Sequence, residues 1–439
     1  MRILHYALGF PPYRSGGLTR YVTDVAEEQK RQGCDVAMLW PGRISQHNKN
    51  PYIRRHQDYN QINSYELCNP LPVVLDQQIG DPEAFISSAC ENIITYTHFL
   101  ENISPDIIHL HTLQGLHQEF IRAAGRLGIP TVFTTHDFFG LYPMNAVYPM
   151  EHNLTDYECS IINSNAPTMQ YLKVMQSPLV RYVKSSKFLR YSLNKLKCFK
   201  VNKRKANTQS IDVKPYHVFR QYIVNILDQI DYILYNSTVS KDAYERYCHP
   251  RNSKILHVTH SKLPQRREFI HNSGKLNIAY LGGTRPYKGL DFLLQTFNQL
   301  SKITDRYHLN IFGVNGDNTE SVTYHAKFND FEVAMKNMDA IVVPSLTYES
   351  FGFVVLEALF YGMPAIVSDV VGAKDLLAEH HEYIFKAGDA CDLIYKLKSL
   401  MYQYNLVAIN PAEFAMDKHC QDMNHVYQIC IDRKKNNEI

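Results

Sequence analysis

Nowhere does the chain approach the ~20 consecutive apolar residues that a membrane span needs, although 45% of its 439 residues are hydrophobic. The opening stretch, Met1 to Pro12, holds only a short apolar run, broken by His5 and ended by Pro11 and Pro12, unlike the core of a secretory leader. Cysteine is sparse and unpatterned. The nine residues are odd in number and include no C-x-x-C pair, which argues against a disulfide framework and against a zinc site. An excess of one charge is missing as well: 46 basic and 43 acidic residues leave a net charge of +3. That is too balanced for a protein whose whole surface grips nucleic acid, so no nucleic-acid partner is expected and any polyanion site must be local. These absences predict a protein of a reducing, cytoplasmic compartment, soluble or peripheral on the inner face of the cytoplasmic membrane.

Against those absences stands a regular pattern. Short apolar runs alternate with amphipathic stretches, as in βαβ units with parallel sheets. Strands are read near Ile3–Leu8, Val36–Leu39, Ile107–Leu110, Thr131–Thr134 and Tyr232–Leu234, and again near Leu276–Leu281, Leu309–Phe312, Ala340–Val343 and Ala365–Val367. Single cores rarely grow past roughly 250–300 residues. The fold class is therefore α/β, with two Rossmann-like, doubly wound domains facing a central cleft. The expected division is 1–235, 236–410 and a C-terminal helix in 411–439 whose packing partner stays open. Between about 138 and 221 the alternation fails. This insertion has no acidic residue from Glu158 to Asp212, and Leu179, Tyr182, Val183, Leu189, Leu193 and Leu196 recur at helical spacing among lysines and arginines. A basic amphipathic helix over 179–205 fits an anionic membrane surface and fits equally a solvated helix covering one domain.

The segment richest in chemistry is Pro344-Ser345-Leu346-Thr347-Tyr348-Glu349-Ser350-Phe351-Gly352-Phe353-Val354-Val355-Leu356-Glu357-Ala358. It follows a predicted strand, so Glu349 falls at a strand's carboxyl end, where open α/β sheets bind ligands. Gly352 falls near a helix start, whose free N–H groups suit a phosphate or a sugar oxygen. Two carboxylates at that edge suit vicinal hydroxyls. A helix-start acid and an exposed helical glutamate would account for either residue taken alone.

Taken together, these residues resemble glycosyltransferase family 4, retaining enzymes of the GT-B fold and of the glycosyltransferase group 1 type. The signature of that family holds two glutamates separated by seven residues, around P-S-x-x-E-x-F-G-x-x-x-x-E-A, followed by G-x-P and a strand. This chain offers Pro344, Ser345, Glu349, Phe351, Gly352, Glu357 and Ala358, then Gly362, Pro364 and Ala365-Ile366-Val367, with one extra residue before the first glutamate. The resemblance implies that Glu357 binds the ribose hydroxyls of a nucleotide and Glu349 the hydroxyls of the transferred sugar, with Phe351, Gly352 and Phe353 lining the donor site.

A second match is Tyr280-Leu281-Gly282-Gly283-Thr284-Arg285-Pro286-Tyr287-Lys288-Gly289-Leu290. Glycine lets backbone approach a phosphate, and lysine adds a point charge for a diphosphate. Family members usually carry a basic residue where Gly283 stands here, and Arg285 is the nearest substitute for it. Near the N-terminus, Pro12-Tyr13-Arg14-Ser15-Gly16-Gly17 is similar to the family loop whose glycines face the donor. It is not a G-x-G-x-x-G fingerprint, so a dinucleotide oxidoreductase loses its main support. His136 corresponds to the family histidine beside the reacting sugar, with His111 a neighbour, and Asp137 either orients His136 or caps the segment that follows. A divalent metal on His109, His111 and His136 lacks a matching carboxylate motif, so neither metal nor other cofactor is expected. The implied partners are a nucleotide-diphosphate sugar and a saccharide or lipid-linked saccharide acceptor. Rival readings are a sugar-nucleotide epimerase and a non-catalytic subunit that binds nucleotide or membrane.

Overall fold

In a computed structural model of the chain, all residues are described except 46–49, 76–78, 88–92, 142–165, 181–213, 268–273, 403–406, 408 and 437–439. Strands such as Ile107–Leu110 and Ala340–Val343 are buried along their whole length, His109 included, as parallel strands covered by helices on both faces must be. Two sheets form. The first runs in the order β3 (Tyr52–Tyr59), β4 (Ile62–Cys68), β2 (Asp35–Pro41), β1 (Arg2–Tyr6), β5 (Ile107–Leu110), β6 (Thr131–Thr134), β7 (Tyr232–Tyr235) and β8 (Ser253–Ile255). The second runs β11 (Val322–His325), β10 (Tyr307–Phe312), β9 (Leu276–Tyr280), β12 (Ala340–Val343), β13 (Ala365–Ser368) and β14 (Ile384–Phe385). Every pairing is parallel except that of β3 with β4. The second order is that of the doubly wound dinucleotide fold, and the first is the same winding with strands added at its edges.

Two boundaries move from their expected places. The first sheet continues past residue 235, because the short strand β8 hydrogen-bonds to β7 with Ile233 beside Ser253 and Tyr235 beside Ile255. The interruption also ends earlier than residue 221. Helix Lys214–Leu227 buries Tyr216, Phe219, Tyr222 and Ile223, so it is the covered crossover between β6 and β7, an ordinary part of the winding. The basic helix read over 179–205 lies almost wholly outside the described residues. Among the described residues, no helix is long and apolar enough to cross a membrane.

Helix Met416–Lys435 returns to the first half. Its polar residues are buried against helix Gly17–Arg31 and β5: Tyr21 Oη lies 2.9 Å from His419 Nε2, and His109 Nδ1 lies 2.5 Å from Tyr427 Oη. Gln29 Nε2 donates to Tyr427 Oη at 3.4 Å, and Lys434 pairs with Asp231 at 3.0 Å. A phenol placed among buried polar groups contributes mainly by keeping them satisfied. Tyr427→Phe is therefore expected to destabilise the protein by about 1–3 kcal/mol, read as a lower urea midpoint with unchanged slope. An unchanged midpoint would mean that this network carries no stability.

Candidate functional site

Each sheet reverses its strand order at one place, between β1 and β5 in the first and between β9 and β12 in the second. Loops leaving the carboxyl ends of those strands diverge there and open a crevice. The loop after β1 leads to Gly16 and Gly17, the loop after β9 carries Gly283, Arg285 and Lys288, and the loop after β12 carries Glu349 and Gly352. A cavity of about 1010 Å³ lies between the halves, with Gly16, Gly17 and Arg20 on one wall and Phe331, Phe353 and Glu357 on the other.

Backbone geometry explains the glycines that matter. Gly289 adopts φ +75°, and a Cβ there would stand 1.9 Å from the Pro344 carbonyl oxygen. The loops after β9 and β12 thus touch backbone to backbone, joined also by Leu346 N–H donating to Tyr287 O at 2.8 Å. Gly352, at φ +105°, starts helix Phe353–Tyr361 with no side-chain cap. Val355 N–H donates to Gly352 O at 3.0 Å, and the helix start presents the positive end of the dipole. Across the cavity, a Cβ on Gly17 would stand 3.2 Å from the Phe353 ring, so the two halves approach closely at that point.

The close contact of the two loops sets the charge arrangement. Lys288 Nζ lies 2.7 Å from Glu349 Oε1, and Ser345 Oγ donates to Glu349 Oε2 at 2.7 Å. Burial by itself would raise the Glu349 carboxyl, but the Lys288 ammonium and the Ser345 hydroxyl outweigh it and hold the group below the usual carboxylate range. The pair encloses a second cavity of about 180 Å³ lined by Tyr280, Gly282, Lys288, Ser345 and Glu349. At the other end of the site Glu357 Oε1 accepts from Arg20 Nη1 at 3.3 Å, and His260 Nε2 lies 3.1 Å away without hydrogen-bond alignment.

The expected residues thus divide. Gly16, Gly17, Phe353 and Glu357 line the large cavity, and Lys288 and Glu349 line the small one. Gly352 and Phe351 shape the helix start between them, Phe351 being buried. Gly283 is at φ +75°, and its carbonyl accepts from Tyr280 Oη at 2.8 Å. Arg285 is exposed and lines neither cavity.

His136 lines neither cavity; its ring packs 4.7 Å from that of Tyr21, and its Nε2 is buried without a partner. Burial and then the nearby His419 push its pKa down to about 3, so the ring is neutral at ordinary pH. Its backbone carbonyl, not its ring, meets the loop after β12, accepting from Ser350 Oγ at 2.8 Å. Asp137 caps the following segment, accepting from the Phe139 N–H at 3.1 Å, and holds Gln114 rather than His136. His5 joins His109 and His111, with one ring nitrogen of each within 4.8 Å of the others. His5 and His111 are hydrogen-bonded to each other at 3.0 Å, His5 also to Gln29, and His109 to Thr134 and Tyr427.

Arg20, His260 and Ser345 were not singled out by sequence reasoning. Ser345 was visible in the motif, whereas Arg20 and His260 reach Glu357 from distant segments that carry no pattern of their own.

A family model described as Glycosyl transferases group 1 matches residues 275–403, and one described as Glycosyltransferase Family 4 matches residues 15–158. A curated relative from Klebsiella pneumoniae, described as an uncharacterized 41.2 kDa protein in the cps region, is 30% identical over 115 residues. That alignment covers 24% of this chain and 31% of the relative, so the chain spans about a third of the relative's length. Among solved structures, the lipopolysaccharide outer core galactosyltransferase WaaB is similar at TM-score 0.54 and 12% identity, covering 100% of both chains. A glycosyltransferase from Rickettsia africae is similar at TM-score 0.55 and 11% identity, covering 98% of both. The Anabaena protein HepE, solved in complex with UDP, is similar at TM-score 0.53 and 12% identity, covering 100% of this chain and 99% of that one. At such identities the likeness is one of fold, and the fold is GT-B.

Proposed function

Because the chain belongs to the family 4, group 1 glycosyltransferases, we propose that it moves a sugar from a nucleotide-diphosphate donor to a saccharide or lipid-linked saccharide, with retention. The observation that carries this reading is the Lys288–Glu349 pair, 2.7 Å apart in the small cavity, beside the helix start whose Phe353 lines the interdomain cavity. Supporting it are the cps-region relative, which suggests surface polysaccharide synthesis, and a fold shared with a protein that has been solved with UDP.

In this reading Glu357 holds the ribose hydroxyls, Glu349 holds hydroxyls of the transferred sugar, and His136 meets the site through its carbonyl, which holds Ser350 of the loop after β12. The bond from the anomeric carbon to the diphosphate oxygen breaks, and its electron pair leaves with the nucleoside diphosphate. Lys288 and the amides of helix Phe353–Tyr361 stabilise that charge as it develops. The acceptor oxygen bonds to the same face of the anomeric carbon and passes its proton to the departing phosphate. No step in this scheme calls for a metal or another cofactor.

The test is release of nucleoside diphosphate from UDP- and GDP-sugars with membrane-extract acceptors, together with direct binding of UDP and GDP. Glu357→Ala removes charge-assisted hydrogen bonds worth about 1.5–3 kcal/mol and is expected to weaken the preferred nucleotide about 10- to 100-fold. An unchanged Kd in a folded variant would remove Glu357 from the donor site. A new nucleotide sugar without transfer would point to epimerisation.

A further inference from the structure

Beside the donor cavity the first half holds a separate pocket of about 510 Å³. The roles assigned so far leave it unused. Its volume lies within the roughly 300–1,000 Å³ range of small-molecule sites. Pro11 and Tyr59 line both cavities, so the pocket opens directly beside the cleft. One wall is aromatic: Phe10 and Tyr59 stack at 4.4 Å and 15°, and Trp40 meets His56 edge-on at 5.1 Å. The Trp40 ring is fixed in place, since its Nε1 donates to Ser64 Oγ at 2.9 Å.

Below the aromatic wall lies a fixed polar group. Glu66 is 1% exposed; its Oε1 accepts from Arg43 N–H at 2.9 Å and from Arg43 Nε at 3.3 Å, and its Oε2 accepts from Arg54 Nε at 2.7 Å. The pocket therefore combines flat apolar rings with preset hydrogen-bonding groups from Arg43, His56 and Glu66. A pyranose has the matching surface, with C–H faces that lie on aromatic rings and hydroxyls around the rim that bond to charged side chains. One side of it comes from β3 and β4, an antiparallel hairpin at the edge of the first sheet, and the other from the loop after β1 and the end of β2.

We propose that this pocket binds a sugar ring of the acceptor and delivers the acceptor to the donor past Pro11 and Tyr59. The assignment rests on the transferase reading given above. It is deepened here to a named pocket and a substrate class, a pyranoside.

Trp40 is the only tryptophan in the chain, so intrinsic tryptophan fluorescence reports on this pocket alone. The probes are methyl glycosides of glucose, galactose, mannose, N-acetylglucosamine and glucuronic acid, titrated with and without UDP. The expected result is a saturable change in Trp40 emission with at least one glycoside. The response should be weakened at least about tenfold in His56→Ala and in Tyr13→Ala, each of which removes a side chain that lines the pocket, while UDP binding stays unchanged in both. Three outcomes overturn the proposal: no response to any glycoside, a response unaffected by either substitution, or competitive displacement of the glycoside by UDP. Nucleotide release from sugar donors, measured in parallel, separates the two readings. Turnover without any glycoside response removes the pocket and leaves the transferase, whereas a glycoside response without turnover of any donor does the reverse.

Discussion

Replacing Lys288 by alanine is expected to lower kcat by about 10²–10³, the usual cost of removing one group that stabilises charge developing on the reacting atoms. Lys288 lies 2.7 Å from Glu349 beside a cavity of about 180 Å³, where its ammonium counters the upward push of burial on that carboxyl. The same substitution changes how stability responds to pH. In the native protein the Glu349 carboxyl is depressed, so its contribution is fully present above the unfolded-state value, about 4.3. It is lost as the pH falls through the lower folded value. Without Lys288 burial dominates and the folded value rises above the unfolded one, so protonation relieves the strain. The stability gap between native and variant proteins should therefore narrow as pH is lowered from 7 towards 4, measured by urea unfolding at each pH. A gap independent of pH would mean that the pair is not coupled as its geometry indicates. Turnover unchanged in the folded variant would take Lys288 out of the site.

The second large effect is structural. Gly289→Ala places a Cβ 1.9 Å from the Pro344 carbonyl oxygen at φ +75°. Neither atom is the end of a flexible side chain, so backbone must move. Left-handed strain and overpacking together predict a loss of about 2–4 kcal/mol, with disruption of the contact that holds Lys288 against Glu349. Gly283→Ala is the control. It shares φ +75° but has no atom within 4 Å of the added Cβ, so only the conformational cost of about 1–2 kcal/mol applies. Equal destabilisation by the two substitutions would refute the claim that the loops after β9 and β12 are wedged together at this glycine.

What could be read from sequence follows the physics of each element. Strands buried on both faces, such as Ile107–Leu110, Thr131–Thr134 and Ala340–Val343, are short runs rich in β-branched and apolar residues and were placed with the bounds the fold has. The hairpin β3–β4 was missed because β3 is polar and half exposed and its turn uses Asn60 and Gln61, at φ 45° and 64°, with no glycine to mark it. Strand β8 is three residues long with no fully buried position, which leaves almost no pattern to detect. In the site, Lys288, Glu349 and Glu357 were legible because each lies at a fixed offset within one continuous segment. Arg20 and His260 were not, since each acts through a contact with Glu357 across hundreds or scores of residues. The same limit applied to helix Met416–Lys435: a residue such as Tyr427 shows no sign in sequence that its partner is His109.

That helix also has a bearing on how the protein is made. Chains emerge from the ribosome at ~5–20 residues per second, and N-terminal units begin to fold first. The first sheet is complete once Ile255 has appeared, but Tyr21, Gln29 and His109 gain their contacts with His419 and Tyr427 only after residues beyond Met416 follow. For roughly 8–30 seconds of synthesis, the earlier half must therefore wait with buried-type polar groups open to water.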